Sequence, residues 1–274
     1  IGDVMASVDE AGGSSGSLAS LDNYKYQKTF ERFSPNDSNK PNMIASLLLN
    51  NAEAVACYNS VGFGSGFGAC NSGARTITRT FNDCTVGLAT LSGTVTVTWG
   101  GTGSGCTLGG AVSDTITRVP NFTLSGRRGA ELTVSKTGSV GQRLTFLSGT
   151  NPNMIFSLSN DGIRRRFTTS TGAIVFDQTT AVTSPITITG NVRTNRVMNG
   201  GFLTVTNNLN AVVCIYSPSN VTWSSSTCNC PTQGSWSGSC DDGKSTLLNI
   251  TGCGTGEYTE GDTVTTVSFD RCGS

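Results

Sequence analysis

Thr94-Val95-Thr96-Val97-Thr98-Trp99 alternates hydroxyl and apolar side chains with a period of two. In an extended chain successive side chains point to opposite faces, so this stretch reads as a β-strand with one wet face and one dry face. The same pattern returns along the chain. Thr76–Phe81, Thr115–Arg118, Glu131–Ser135, Arg143–Phe146, Ile155–Leu158, Ala173–Phe176, Ile186–Thr189, Phe202–Thr206, Ala211–Tyr216, Ser245–Ile250 and Thr263–Phe269 set β-branched or aromatic residues in alternation. About a dozen strands follow.

Gly, Asn and Asp clusters separate these runs, among them Gly100–Gly103, Ser125–Gly129, Asn160–Gly162, Asn199–Gly201, Asp241–Gly243 and Glu260-Gly261. Such residues supply tight turns, and short gaps join antiparallel neighbours. No helical period lies between the strands to form parallel crossovers. The sequence therefore predicts a mainly β fold, an antiparallel meander closing into a sandwich or a barrel, with the edges protected by that closure.

One helix is expected near the N-terminus. Pro41 precedes Met43, Ile44, Leu47, Leu48, Ala52 and Val55, an apolar pattern of helical period over residues 41–57. Residues 1–40 read as a partly disordered tether, with Ala11–Ser17 rich in Gly and Ser, although Tyr24, Tyr26, Phe30 and Phe33 keep part of it compatible with a strand. The β domain then covers 41–274, with candidate subdivisions near 120 and 207.

Composition narrows the compartment. The chain of 274 residues has 35 Gly, ten Cys and no His, with only 13% charged residues. Cys57, Cys70, Cys84 and Cys106 form one group, and Cys214, Cys228, Cys230, Cys240, Cys253 and Cys272 another. Cys228-Asn229-Cys230 has the wrong spacing for a zinc knuckle, and no histidine completes a mixed site. Disulfides closed within each group are expected, in the periplasm, on the outer surface or outside the cell. Neither metal nor cofactor is expected. No apolar run approaches the roughly 20 residues of a membrane helix. The start at Ile1 lacks a basic-then-apolar leader, so any signal peptide is expected to have been removed or to lie outside this sequence, as would a lipid anchor on a preceding cysteine.

Absence of histidine removes Ser-His-Asp, Cys-His and most zinc hydrolase chemistry. A carboxylate pair would remain, but Asp241-Asp242 and Glu257, Glu260 and Asp262 lie in Gly-rich turns, where solvated charge is expected rather than the burial that splits two pKa values. Gly62–Gly68 lacks the Lys-Ser/Thr ending of a phosphate loop. The expectation is a protein that binds rather than catalyses.

Charge supplies the lead to a ligand. Residues 118–196 carry ten Lys/Arg against three Asp/Glu, whereas residues 1–117 carry six against nine and residues 197–274 two against six. Nine of the ten are Arg, a side chain suited to bidentate contact with phosphate or carboxylate. Arg127, Arg128, Arg164, Arg165, Arg166, Arg193 and Arg196 are the candidate anion-binding residues. Their expected partners are an envelope lipid, a polysaccharide or a surface protein. Nucleic acid is not expected, because the basic segment has no interleaved exposed aromatics and no recognised motif. Two further functions compete: a structural or adhesive surface protein acting through protein contacts, and a lipid carrier with an open β barrel.

Val221–Cys240, with Trp223, Cys228, Cys230 and Trp236, is followed by Gly252–Gly256 and the closing Ser268–Cys272. This last part of the chain resembles the ends of uncharacterised exported or surface lipoproteins of predatory and related Gram-negative bacteria. The resemblance implies an anchored, exported β protein of the outer membrane or periplasm, and it carries over no site residue.

Overall fold

A computed structural model describes residues 70–86, 89–126, 128–224, 228 and 230–268. The expected tether, the expected helix at 41–57 and the side chains of Cys57 and Cys272 lie outside the described residues.

Among the described residues, alternation becomes one antiparallel sheet of 14 strands. In chain order these are β1 (Thr76–Val86), β2 (Ala89–Gly100), β3 (Thr115–Gly126), β4 (Glu131–Lys136), β5 (Gln142–Ser148), β6 (Ile155–Thr168), β7 (Ile174–Thr189), β8 (Arg196–Asn199), β9 (Phe202–Asn207), β10 (Val213–Trp223), β11 (Gln233–Cys240), β12 (Ser245–Gly252), β13 (Thr255–Glu260) and β14 (Thr263–Ser268). Strands β4 and β5 lie end to end between β3 and β6, and β8 and β9 lie end to end between β7 and β10. The rest is a meander of neighbours. Residue 120 falls inside β3 and residue 207 ends β9, and the sheet is continuous through both.

One face of this sheet is dry. Leu158, Ile186, Met198, Leu203, Val221, Trp223 and Trp236 are wholly buried, and they belong to one cluster that includes Trp99, Ile116, Leu144, Phe156 and Ile250. Ile77 of β1 and Val267 of β14 pack against the same cluster. The sheet thus bends around a shared interior, and its bulges provide the bends. The register shifts at Leu158/Asn160 and Asn160/Ile163 in β6, and at Val182/Ser184 in β7.

Asn160-Asp161-Gly162, expected to be a turn, is instead that corner within β6. Gly162 has a φ of 137°, and a Cβ there would run into the Thr137 hydroxyl. Glycine at this position serves the bulge instead of a chain reversal. The Asp161 carboxylate accepts from the amides of Val140 and Gly141 at 2.6 and 2.7 Å and from the Ser139 hydroxyl at 3.1 Å, tying the β4–β5 break to the corner.

Three bridges join pairs of described residues: Cys70–Cys106, Cys214–Cys240 and Cys228–Cys253. Each closes within its own sequence group, as expected, and Cys214 and Cys240 face each other directly across β10 and β11. Cys230 is also disulfide-bonded. These bridges fit an oxidising, extracytoplasmic compartment. No helix among the described residues is long and apolar enough to cross a membrane.

Candidate anion-binding face

Arg164, Arg165 and Arg166 are consecutive in β6, so the pleat separates them. Arg165 shares the inner face with Ile163 and Phe167 and pairs across with Val134 of β4, which is 6% exposed. Arg164 and Arg166 point to the outer face, where their cross-strand neighbours are Ser135, Thr179, Thr133 and Asp177.

Asp177 organises this pair. Arg164 grips it with two donors, Nε to Oδ1 at 2.8 Å and Nη2 to Oδ2. Asn208, from the β9–β10 turn, donates its side-chain amide to Asp177 Oδ1 at 2.7 Å and to the Thr179 hydroxyl at 3.0 Å, and its backbone amide to the Asp177 carbonyl at 2.8 Å. Asp177 is therefore only 3% exposed although it lies on the outer face. The hydrogen bonds from Arg164 hold the Asp177 carboxyl below its ordinary pKa against the cost of burial, helped by Asn208 and by the charges of Arg164 and Arg166. The same pairing raises the pKa of Arg164.

The outcome is a fixed cation with solvent access. The Arg164 side chain is 40% exposed while Asp177 holds one edge of its fork, which leaves the planar group oriented at little further entropic cost. Arg166 stands two residues along the same face, and its buried Nε has no hydrogen-bond partner. Glu131 stands exposed on the same face, two residues before Thr133, so two guanidinium groups share this part of the face with two carboxylates, of which only Asp177 is covered.

The remaining candidates disperse. Arg128 is exposed in the β3–β4 turn, at the same end of the sheet as Arg166: Gly129 approaches Ser170 of the β6–β7 turn, and Glu131 pairs with Thr168. Arg127 lies outside the described residues. Arg193 opens a single 3-10 turn, Arg193–Asn195, at the other end of β7. Arg196 is 2% exposed, and its guanidinium lies 5.8 Å from the ring centre of Trp223, its direct partner across β8 and β10. Of the described candidates, Arg164 and Arg166 share the outer face, whereas alternation sends Arg165 inward and Arg196 packs against the Trp223 ring.

Residue type and spacing alone do not single out Asp177 and Asn208 as part of this face. One signal was available: Asp177 is the sole acidic residue between Asp161 and Asp241, set among the arginines. Nothing in the sequence marks Asn208 apart from its neighbours Asn207 and Asn210.

No family model, curated protein or solved structure matches the chain.

Proposed function

We propose that the chain is an exported binding protein of the cell surface or periplasm that recognises an anionic envelope component through the outer face around Arg164 and Arg166. The observation that carries this reading is the Arg164–Asp177–Asn208 arrangement, which holds a guanidinium rigidly at the surface beside a second one. Phosphate, sulfate or carboxylate groups accept from such forks at two points. The surrounding Thr133, Ser135 and Thr179 hydroxyls offer further hydrogen bonds. A binding role on the outer face, rather than lipid carriage inside, is favoured by the filled interior around Trp223 and Trp236. A cavity of about 160 Å³ at the β5–β6 corner, beside Arg143 and Asp161, is smaller than the roughly 300 Å³ at which small-molecule pockets begin.

Salt-dependent association with lipopolysaccharide or with anionic liposomes tests the reading. The R164Q/R166Q double variant is expected to weaken association about tenfold and to flatten its salt dependence. An R165Q variant tests the pleat, and it should bind like the unaltered protein. Absence of binding at low salt would rule the function out.

A further inference from the structure

The turns next to Arg164 and Arg166 carry apolar side chains where turn chemistry does not call for them. Ile174 and Val175 follow the β6–β7 turn and are 37% and 45% exposed, and Leu209 in the β9–β10 turn is 49% exposed. Thr168 pairs with Ile174 and Phe167 with Phe176, so the bulge leaves Val175 out of the ladder. The β9–β10 turn is built by asparagines: Asn207 Oδ1 accepts from the Leu209 amide at 3.0 Å, and Asn210 Oδ1 accepts from the Val212 amide at 3.2 Å. Leu209 therefore contributes only its exposed side chain. Of the other turns at this end, Asp241-Asp242-Gly243 is polar, while Gly261-Asp262 is followed at the edge strand by Val264, which is 62% exposed.

These two turns are neighbours. Gln178 pairs with Asn207, and the Asn208 amide bonds to the Asp177 carbonyl, so Leu209 emerges beside the strand end that carries Ile174 and Val175. Arg164 and Arg166 sit on the adjacent strand β6, opposite Thr179 and Asp177 of β7. An apolar tip with fixed guanidinium groups set behind it has the layering of a lipid surface, where acyl chains lie beneath phosphates. Asp241, which bonds to Val213 beyond Leu209, and Glu131 at the start of β4 flank this region with negative charge and confine the contact to the turns between them.

We propose that this end of the sheet is a membrane-docking tip: Ile174, Val175 and Leu209 enter the acyl boundary of an anionic lipid surface while Arg164 and Arg166 hold its phosphates. The inference rests on the anion-binding reading of these arginines and narrows their ligand from any polyanion to a headgroup layer.

Two probes separate the claims: vesicles of equal parts phosphatidylglycerol and phosphatidylcholine, and lipid-free polyphosphate. The full chain should co-sediment with the vesicles, and V175S/L209S should weaken that association about tenfold while leaving polyphosphate binding unchanged. R164Q/R166Q should weaken both. Vesicle binding that V175S/L209S does not alter would overturn the tip and leave the anion site standing. Failure to bind either probe at low salt would overturn both. A dimer of the unaltered protein that V175S/L209S dissociates, without vesicle binding, would assign the apolar tip to a second copy and overturn the inference. Matching circular-dichroism melting curves would establish that the variants are folded.

Discussion

At the scale of single residues, Asp177 decides what the outer arginines are. A carboxylate this covered would be costly alone, and Arg164, Asn208 and the nearby charge of Arg166 make its ionised form the stable one. Its pKa in the fold lies below the value of about 3.9 expected in the unfolded chain. The stabilisation is thus complete above that value and is lost as pH falls through the lower, folded one. Asp161 is shifted in the same direction, the amides of Val140 and Gly141 and the Ser139 hydroxyl outweighing its burial. Asp114 is too, through the Thr102 amide foremost. The melting temperature should therefore hold from neutral pH to about pH 4.5 and fall below it. D177N should cost about 1–2 kcal/mol at neutral pH and make the acid fall shallower, since one of the three titrating groups is gone. Thermal melts of both proteins across that range check this. Equal melting temperatures at neutral pH would show that Arg164 and Asn208 gain nothing from the carboxylate.

At the scale of elements, a row of cross-strand partners explains one glycine and shows how far a sequence pattern reaches. Tyr216, Gly238, Thr246 and Glu260 stand side by side on β10, β11, β12 and β13. A Cβ on Gly238 would strike the Tyr216 ring, which occupies the space that the missing side chain leaves. Burial raises the pKa of Tyr216 and pushes that of Tyr258, in the next row, up to about 12. G238A should displace the Tyr216 ring and cost about 1–3 kcal/mol, read as a lower midpoint in urea unfolding. An unchanged midpoint would mean that the ring is free to move. This row also marks where sequence reading stops. β11, Gln233-Gly-Ser-Trp-Ser-Gly-Ser-Cys240, holds one large apolar residue, Trp236, and β13 reads Thr255-Gly-Glu-Tyr-Thr-Glu260, so neither shows the apolar alternation that revealed β2 or β12. Both are strands because their neighbours on each side complete their hydrogen bonds. β8 is only four residues long and is invisible for the same reason. Conversely, Ala173–Phe176 and Ile186–Thr189 looked like two strands because Ser184-Pro185 interrupts the pattern, whereas the chain runs through as β7 with a bulge. The basic excess at residues 118–196 was legible as a number. Its division between faces was not, because that depends on the register set at the Asn160–Ile163 bulge.

At the scale of the whole molecule, one continuous sheet raises the question of what keeps its far ends in place. β1 and β14 end the order of strands, and among the described residues each pairs with only one neighbour. The bridges lie toward those ends. Cys70–Cys106 ties the segment before β1 to the long β2–β3 connection, which Arg75 also organises by donating to the carbonyls of Gly105 and Thr107, each at 3.0 Å. Cys214–Cys240 and Cys228–Cys253 staple β10 through the β12–β13 turn. The centre, β3 to β9, holds no bridge among the described residues and contains the buried Leu144, Leu158, Ile186 and Ile188. Sequence separations of 36, 26 and 25 residues correspond to about 3–4 kcal/mol for each bridge if its effect is to restrict the unfolded chain. A C228S/C253S variant should therefore unfold at a markedly lower urea concentration than the unaltered protein. Hydrogen exchange should show the loss of protection concentrated in β11 to β14, while the amides of β6 and β7 stay protected, because their share of the core does not depend on the bridge. A uniform loss across all strands would instead mean that the sheet unfolds only as a single unit. No loss at all would mean that the apolar interior alone secures its C-terminal strands.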